Sequence, residues 1–288
     1  MKKLTRFGIF PNLDKENVRL ALPEILSRCQ NWGLEIYMPM EAAAEYGCPA
    51  FDVERPETME PLEGAFSLGG DGTLLQMARR VVQHDIPIFG VNLGHLGFLA
   101  EIDICGLGKA VGRLLQGNYS LESRSLLQAT VIEGRTGKVK AVAHALNEFV
   151  LAKGIYSKMA HIALFINNKT SGQYAADGLL VSTATGSTAY NLSAGGPLVM
   201  PELDVKVITP VCAHSLSART LVLPMEEVLE LRAVPGSEEL VLASDGENIV
   251  SVVEGDVVRI ERSPYQARLI RLTRRDYYQT WQQKLMRY

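Results

Sequence analysis

Residues 68–80 read LGGDGTLLQMARR: an apolar run enters Gly69-Gly70-Asp71-Gly72-Thr73 and leaves it as a helical pattern. A strand that hands over to a helix through glycines is the joint of an open α/β sheet, and such sheets bind ligands at the carboxyl ends of their strands. The glycines permit tight turning and close backbone approach, while a helix beginning near Thr73 offers unpaired N–H groups to an anion. Gly69, Gly70, Gly72 and Thr73 therefore read as a phosphate cradle. No lysine follows the glycines in the Walker manner, so Asp71 suits a hydroxyl or a metal-bound phosphate better than phosphate itself. Taken alone, Gly-Asp-Gly reads equally as a tight turn in which Asp71 caps the helix.

Outward from this joint, the chain from Leu4 to about Gly117 alternates short apolar runs with amphipathic stretches. FGIF, LEIYM, GAFSL and IPIFGVN are predicted strands, and TLLQMARRVVQ and GLGKAVGRLLQG predicted helices; Val18, Leu22, Ile25 and Cys29 share one face of a helix after the first strand. Past Leu121, strand follows strand, from QATVIE through KVKAVAHALNEFVLAKG, HIALFINN and GLLVSTAT to ARLIRL. The tail DYYQTWQQKLMRY returns to helix, with Tyr277, Trp281 and Leu285 on a stripe that needs a partner. The predicted fold is an α/β, Rossmann-like N-terminal domain (residues 1–121 plus 270–288) and an all-β C-terminal domain (residues 122–269), the final helix returning to the first.

With 288 residues, 47% of them hydrophobic, and a formal net charge of −3, the chain is long enough for two domains and has no basic stretch suited to nucleic acid. A nucleotide-sized anion is compatible with this balance. Cys29, Cys48, Cys105 and Cys212 are scattered, with neither a CxxC pair nor a His at metal-ligand spacing, and read as reduced thiols of a cytoplasmic protein without a metal site of its own. Pro11 and Asp14 cut short the apolar part of MKKLTRFGIFPNLD, which is no signal peptide, and no run approaches membrane-spanning length.

Two further stretches carry chemistry. In LVSTATGSTAYNLSAGGP a strand again gives way to a helix start, with hydroxyls at Thr185, Ser187 and Thr188 and an aromatic ring at Tyr190; the alternative is a capping turn with Tyr190 in the core. In ALNEFVLAKG, Asn147 and Glu148 interrupt an apolar strand. An inward-facing amide or carboxylate needs a partner, and ribose diols and adenine edges suit this pair; the alternative is a strand end facing solvent. Asn92 in NLGHLGFLAEID, Asp177 in YAADGLL and Asp245 in SDGE each read, alone, as turn residues.

In this order, GGDGT, NLGHLGFLAEID, LNEFV, ADGLLVSTATGSTAYNLSAGGP and SDGE closely resemble the NAD kinase family, which phosphorylates the adenosine ribose 2′-hydroxyl of NAD to make NADP. The resemblance covers nearly the whole chain. GGDG is shared with lipid kinases of the diacylglycerol and sphingosine type, whereas the other segments are more specific. The resemblance implies that Asp71 activates the ribose hydroxyl and that Gly72 lets the backbone approach the substrate. It implies that Asn147 and Glu148 hold the adenine and its ribose and that Asp177 contacts the nicotinamide end. Thr185, Thr188, Ala189, Tyr190, Asn191, Leu192 and Ser193 then form the NAD-binding turn and helix, and Lys158 and Glu247 align with ligand-contacting positions. Asp245 is expected to meet the dinucleotide bound by a neighbouring subunit, which implies a homodimer or homotetramer. The implied partners are NAD and ATP or another phosphoryl donor, with Mg²⁺ arriving on the ATP. The alternatives are a lipid kinase, for which no basic amphipathic helix is present, and a non-catalytic NAD(P)-binding sensor.

Overall fold

The structure, a computed structural model of the chain, describes residues 1–94, 97–154, 159–215, 217–236 and 238–285. The chain divides into two compact units, Met1–Ser123 with Ala267–Tyr288, and Arg124–Gln266.

The first unit is built on a parallel sheet. β1 (Arg6–Pro11) lies between β2 (Glu35–Pro39) and β4 (Gly64–Leu68), with β3 (Ala50–Phe51) beyond β2 and β5 (Ile88–Asn92) beyond β4. Every residue of β4 and β5 is buried, which is why they read as continuous apolar runs rather than alternating ones. The short β6 (Ile102–Asp103) pairs with β5, and so does Leu269 near the end of the chain's last strand. Phe7 stacks on Phe66 at 4.3 Å, and Phe66 meets Phe89 edge-on at 5.6 Å, tying β1, β4 and β5 together. The helices are α1 (Glu16–Asn31), α2 (Met40–Tyr46), α3 (Pro56–Met59), α4 (Asp71–Val81) and α5 (Leu107–Leu115). Val18, Leu22, Ile25 and Cys29 are buried on α1 as the spacing predicts, and α1 stops at Gly33, whose φ of 85° lets Leu34 N–H reach back to the Cys29 carbonyl. α4 begins at Asp71, two residues before the predicted start at Thr73, because the Gly70 carbonyl accepts the N–H groups of both Thr73 and Leu74.

Among its described residues the second unit is built of strands, with a 3-10 turn (Thr185–Thr188) and one short α-helix. β7 (Ser120–Ile132) and β8 (Val139–Ala145) pair antiparallel, followed by β9 (Glu148–Lys153), β10 (Ala160–Ile166), β11 (Lys169–Ala176) and β12 (Gly178–Thr183). After α6 (Tyr190–Ser193) come β13 (Val205–Val211), β14 (Leu221–Pro224), β15 (Leu229–Ala233), β16 (Leu240–Ser244), β17 (Glu247–Val252) and β18 (Val257–Arg271). One antiparallel sheet has the order β14-β13-β12-β9-β16-β17, and β11, β10, β15 and β18 pair in sequence in another. Phe149, Leu151, Val181 and Leu242 from the first meet Ile162, Leu164, Leu231 and Ile260 from the second in a common apolar core. The segment KVKAVAHALNEFVLAKG is not a single strand. β8 pairs with β7, whereas β9 pairs with β12 and β16, so the chain changes partners at Leu146 and Asn147.

The last helix, α7 (Tyr277–Leu285), belongs to the first unit, where Tyr277 and Trp281 are buried and the Tyr277 hydroxyl donates to Glu122 Oε1 at 2.5 Å.

Candidate functional site

In the first unit, the end of β4 decides where Asp71 goes. Gly69 N–H still bonds the Val91 carbonyl of β5, and a Cβ at Gly69 would stand 2.3 Å from Thr73 Oγ1, so only glycine fits. Asp71 then opens α4 without capping it: Gly70 is the N-cap, and the cap receives no side-chain bond. The Asp71 carboxylate instead faces the loop after β5, with Oδ2 accepting from Phe98 N–H at 2.6 Å and Oδ1 from Leu99 N–H at 3.1 Å and Ala100 N–H at 3.3 Å. A Cβ at Gly97 would sit 2.0 Å from Oδ1, so that loop reaches the carboxylate only because it passes with glycine. Around this turn Ser67 Oγ, Thr73 Oγ1 and Asn92 Nδ2 are buried without a hydrogen-bond partner among the described residues. Asn92 ends β5, and its own Oδ1 takes Gly94 N–H. Buried polar atoms without partners are rare, and three gathered at the ends of β4 and β5 and the first turn of α4 are what a ligand with phosphate and hydroxyl oxygens would satisfy.

Among the described residues no three or more His, Cys, Asp or Glu side chains gather as a metal cluster. A Mg²⁺ ion arriving on a nucleotide would be held chiefly by phosphate oxygens and water, and the turn offers it one carboxylate, Asp71. Bound in that way the ion would screen the phosphate charge.

In the second unit, Asn147 and Glu148 are both buried, 8% and 6% exposed, which excludes a pair facing solvent. The bend that carries them is held by Asp245, whose carboxylate accepts from Leu146 N–H at 2.9 Å, Asn147 N–H at 2.8 Å and Glu148 N–H at 3.0 Å. Asp245 reaches them from the two-residue turn joining β16 to β17, where Asp245 and Gly246 have φ of 46° and 84°, the left-handed pair that an Asp-Gly hairpin adopts. In this chain the Asp245 carboxylate therefore serves its own backbone. Burial pushes the Glu148 carboxyl up to about 8, the Asp245 charge adds to that push, and the Tyr190 N–H it accepts opposes both. Its Oε2 has no partner among the described residues. A neutral carboxylic acid in that place donates one bond and accepts others, which suits a vicinal diol.

Gly186 packs so close to the Asn147 carbonyl that a Cβ would come within 2.3 Å of it, which brings the TGSTAY turn against the pair. Within that turn the roles divide. Asn191 is fully buried and bonded to Ser187 O, Pro197 O and Thr209 Oγ1, and Thr185 Oγ1 accepts from Arg124 Nη1 at 3.4 Å; these two hold the turn. Thr188, Ala189 and Leu192 are half-buried, while Tyr190 and Ser193 are exposed. Tyr190 is thus no core residue. Asp177 is not brought to this cluster: it pairs with Lys153 Nζ at 2.6 Å at the start of β12, whereas Ser182 near the other end faces Glu148, roughly 17 Å along the strand at the usual rise per residue. Glu247 is exposed at the start of β17, and Lys158 lies outside the described residues.

Residues 146–272 match the family model for the ATP-NAD kinase C-terminal domain, and residues 55–119 the model for the ATP-NAD kinase N-terminal domain. The chain belongs to the NAD kinase family. It is 40% identical to the NAD kinase of Moorella thermoacetica, over 98% of this chain and 89% of that one, and 37% identical to that of Symbiobacterium thermophilum, over 98% and 99%. Its fold matches yeast NADH kinase complexed with NADH at a TM-score of 0.89, with 22% identity over 99% of this chain and 88% of that one. An NAD kinase from Archaeoglobus fulgidus in complex with ATP matches at 0.70, with 22% identity over 96% of both chains.

Sequence reasoning missed the residues that frame Asp71 from behind. Arg271, 3% exposed, bonds Leu99 O at 3.0 Å and pairs with Glu101 at 3.1 Å and Glu122 at 2.5 Å. Burial alone would push its guanidinium down, but Glu122 first among its neighbours holds it above the ordinary range. An arginine inside the apolar run ARLIRL was the available signal, since a charge there calls for buried partners.

Proposed function

We propose that the protein transfers the terminal phosphate of ATP to the 2′-hydroxyl of the adenosine ribose of NAD, giving NADP. The observation that carries this reading is the Asp71 carboxylate, fixed by three backbone N–H groups at a glycine-lined strand end beside buried Ser67, Thr73 and Asn92 atoms that have no partner among the described residues. Phosphoryl transfer asks chiefly for positioning and charge neutralisation. Asp71 takes or orients the proton of the attacking hydroxyl, and the glycines and Thr73 receive the phosphates. Glu148 and Asn147 hold the adenosine ribose and adenine, and Thr188, Ala189, Tyr190, Leu192 and Ser193 complete the dinucleotide surface, supported by Thr185 and Asn191.

Mg²⁺ enters with the ATP. All four cysteines are free, in keeping with a reducing cytoplasm, and no helix among the described residues is long and apolar enough to cross a membrane. The active form is read as a homodimer or homotetramer. Asp177, paired with Lys153 away from the Glu148 cluster, and the exposed Glu247 are assigned to the dinucleotide on the resemblance alone, as is Lys158. Asp245 is assigned to the bend of its own chain, on the strength of its three amide bonds.

The test is purified protein with NAD, ATP and Mg²⁺, the product identified by an NADP-specific dehydrogenase. NADP should accumulate, and neither diacylglycerol nor sphingosine should be phosphorylated. Binding of NAD without turnover would favour a sensor and overturn the reading.

A further inference from the structure

Asp71 is fixed by a loop, and the loop is fixed by the end of the chain. The loop's N–H groups face Asp71, while its carbonyls face three cations. Gly97 O accepts from Arg275 Nη2 at 3.2 Å and from Lys284 Nζ; Leu99 O accepts from Arg271 Nη1 at 3.0 Å; Ala100 O accepts from Arg275 Nη1 at 3.3 Å. Lys284 Nζ also lies 4.9 Å over the Phe98 ring.

The bonding runs through single peptide groups. The Gly97 carbonyl and the Phe98 N–H belong to one planar peptide, so Arg275 and Lys284 bond one end of the unit whose other end makes the 2.6 Å bond to Asp71 Oδ2. In the same way the Leu99 carbonyl held by Arg271 shares its peptide with the Ala100 N–H that reaches Oδ1. A carbonyl bonded to a cation is polarised, and its N–H becomes the better donor. The shortest of the three bonds to Asp71 comes from the peptide that carries two cations. Burial pushes both Arg275 and Lys284 down, and the Asp71 carboxylate is among the charges that oppose this. Arg271 is already committed to Glu101 and Glu122, whereas Arg275 and Lys284 are directed at the loop.

We infer that Arg275 and Lys284 are positioning residues for phosphoryl transfer, acting on Asp71 through the Gly97–Phe98 peptide. This rests on the reading of Asp71 as the residue that handles the ribose hydroxyl. Arg275 stands after β18 and Lys284 in the last turn of α7, so the segment that follows β18 sets the reactive carboxylate through the loop.

Lys284→Met is the main variant and Arg275→Lys the second, since the latter keeps its charge but loses the fork spanning Gly97 and Ala100. Each should lower kcat about ten- to a hundredfold, the loss expected when a reacting group is misplaced by a fraction of an ångström to an ångström. KM for NAD and for ATP should stay within about twofold, because only the reacting geometry is disturbed. Lys284→Arg should restore most of kcat. In an Asp71→Asn background, adding Lys284→Met should change turnover little, as for two residues acting in one unit. Folded Lys284→Met with wild-type kcat, a loss that appears in KM for ATP, or a loss that multiplies in full onto Asp71→Asn would overturn the inference. Full turnover by Asp71→Asn alone would instead refute the reading beneath it.

Discussion

Replacing Glu148 by Gln should stabilise the ligand-free protein, and by an amount that depends on pH. The native carboxyl sits near 8 and the unperturbed value is 4.5. Below the lower value both states hold the proton and Glu148 contributes no pH dependence. Between the two, the unfolded chain has released the proton that the native chain still holds, so wild-type stability falls as pH rises; above the upper value the loss is complete. Each pH unit in that window removes about 1.4 kcal/mol. Gln is neutral in both states and imitates the protonated acid. From about pH 5.5 to about pH 7.5 the advantage of Glu148→Gln over wild type should therefore grow by roughly 2–3 kcal/mol and level off above about pH 8. Trp32 and Trp281 both lie in the first unit, so tryptophan fluorescence would follow the wrong transition. Scanning calorimetry across the pH series is the suitable assay, with a shift of about 2–4 °C per kcal/mol. Parallel curves for wild type and Glu148→Gln would show that Glu148 is ionised in the native protein and would refute the burial argument.

Gly97→Ala should cut turnover sharply while leaving NAD affinity near wild type, because the new methyl takes the place of Asp71 Oδ1; steady-state kinetics with calorimetric titration of NAD separates the two effects, and undiminished kcat would contradict the fit. Arg271→Met leaves Glu101 and Glu122 without their buried cation and should destabilise the first unit by about 3–5 kcal/mol, read as a lower urea midpoint in tryptophan fluorescence. Co-refolded Asp71→Asn and Asp245→Ala subunits should show no recovered activity, since Asp245 serves its own chain; recovery in confirmed mixed oligomers would place that carboxylate in a neighbouring subunit's site.

The first unit is legible in the sequence because its physics is local. FGIF, GAFSL and IPIFGVN are near-continuous apolar runs, interrupted at Ser67 and Asn92, as strands covered on both faces read, and the spacing of Val18, Leu22, Ile25 and Cys29 fixes the buried side of α1. The GGDGT turn announces itself because glycine alone tolerates the approach of Thr73 to Gly69. What stayed hidden depends on partners distant in sequence. Nothing in ALNEFVLAKG says that the strand breaks at Leu146, since the break comes from a carboxylate 97–99 residues later, at Asp245. The tail shows the same limit. Its apolar stripe predicts a buried helix, but the reach of Lys284 and Arg275 to Gly97 follows from where the helix docks and not from its composition. Asp177 reads as well as Asn147 on the resemblance, yet only the pairing of β12 with β9 reveals that the two stand at opposite ends of a strand.

The most direct measurement is single-turnover NADP formation by Asp71→Asn beside wild type, with NAD affinity determined on the same samples. Asp71 handles the ribose hydroxyl proton in this account, so the rate should fall by about 10²–10⁴-fold, with NAD binding changed far less. A folded Asp71→Asn protein that makes NADP at the wild-type rate would contradict the account at its centre.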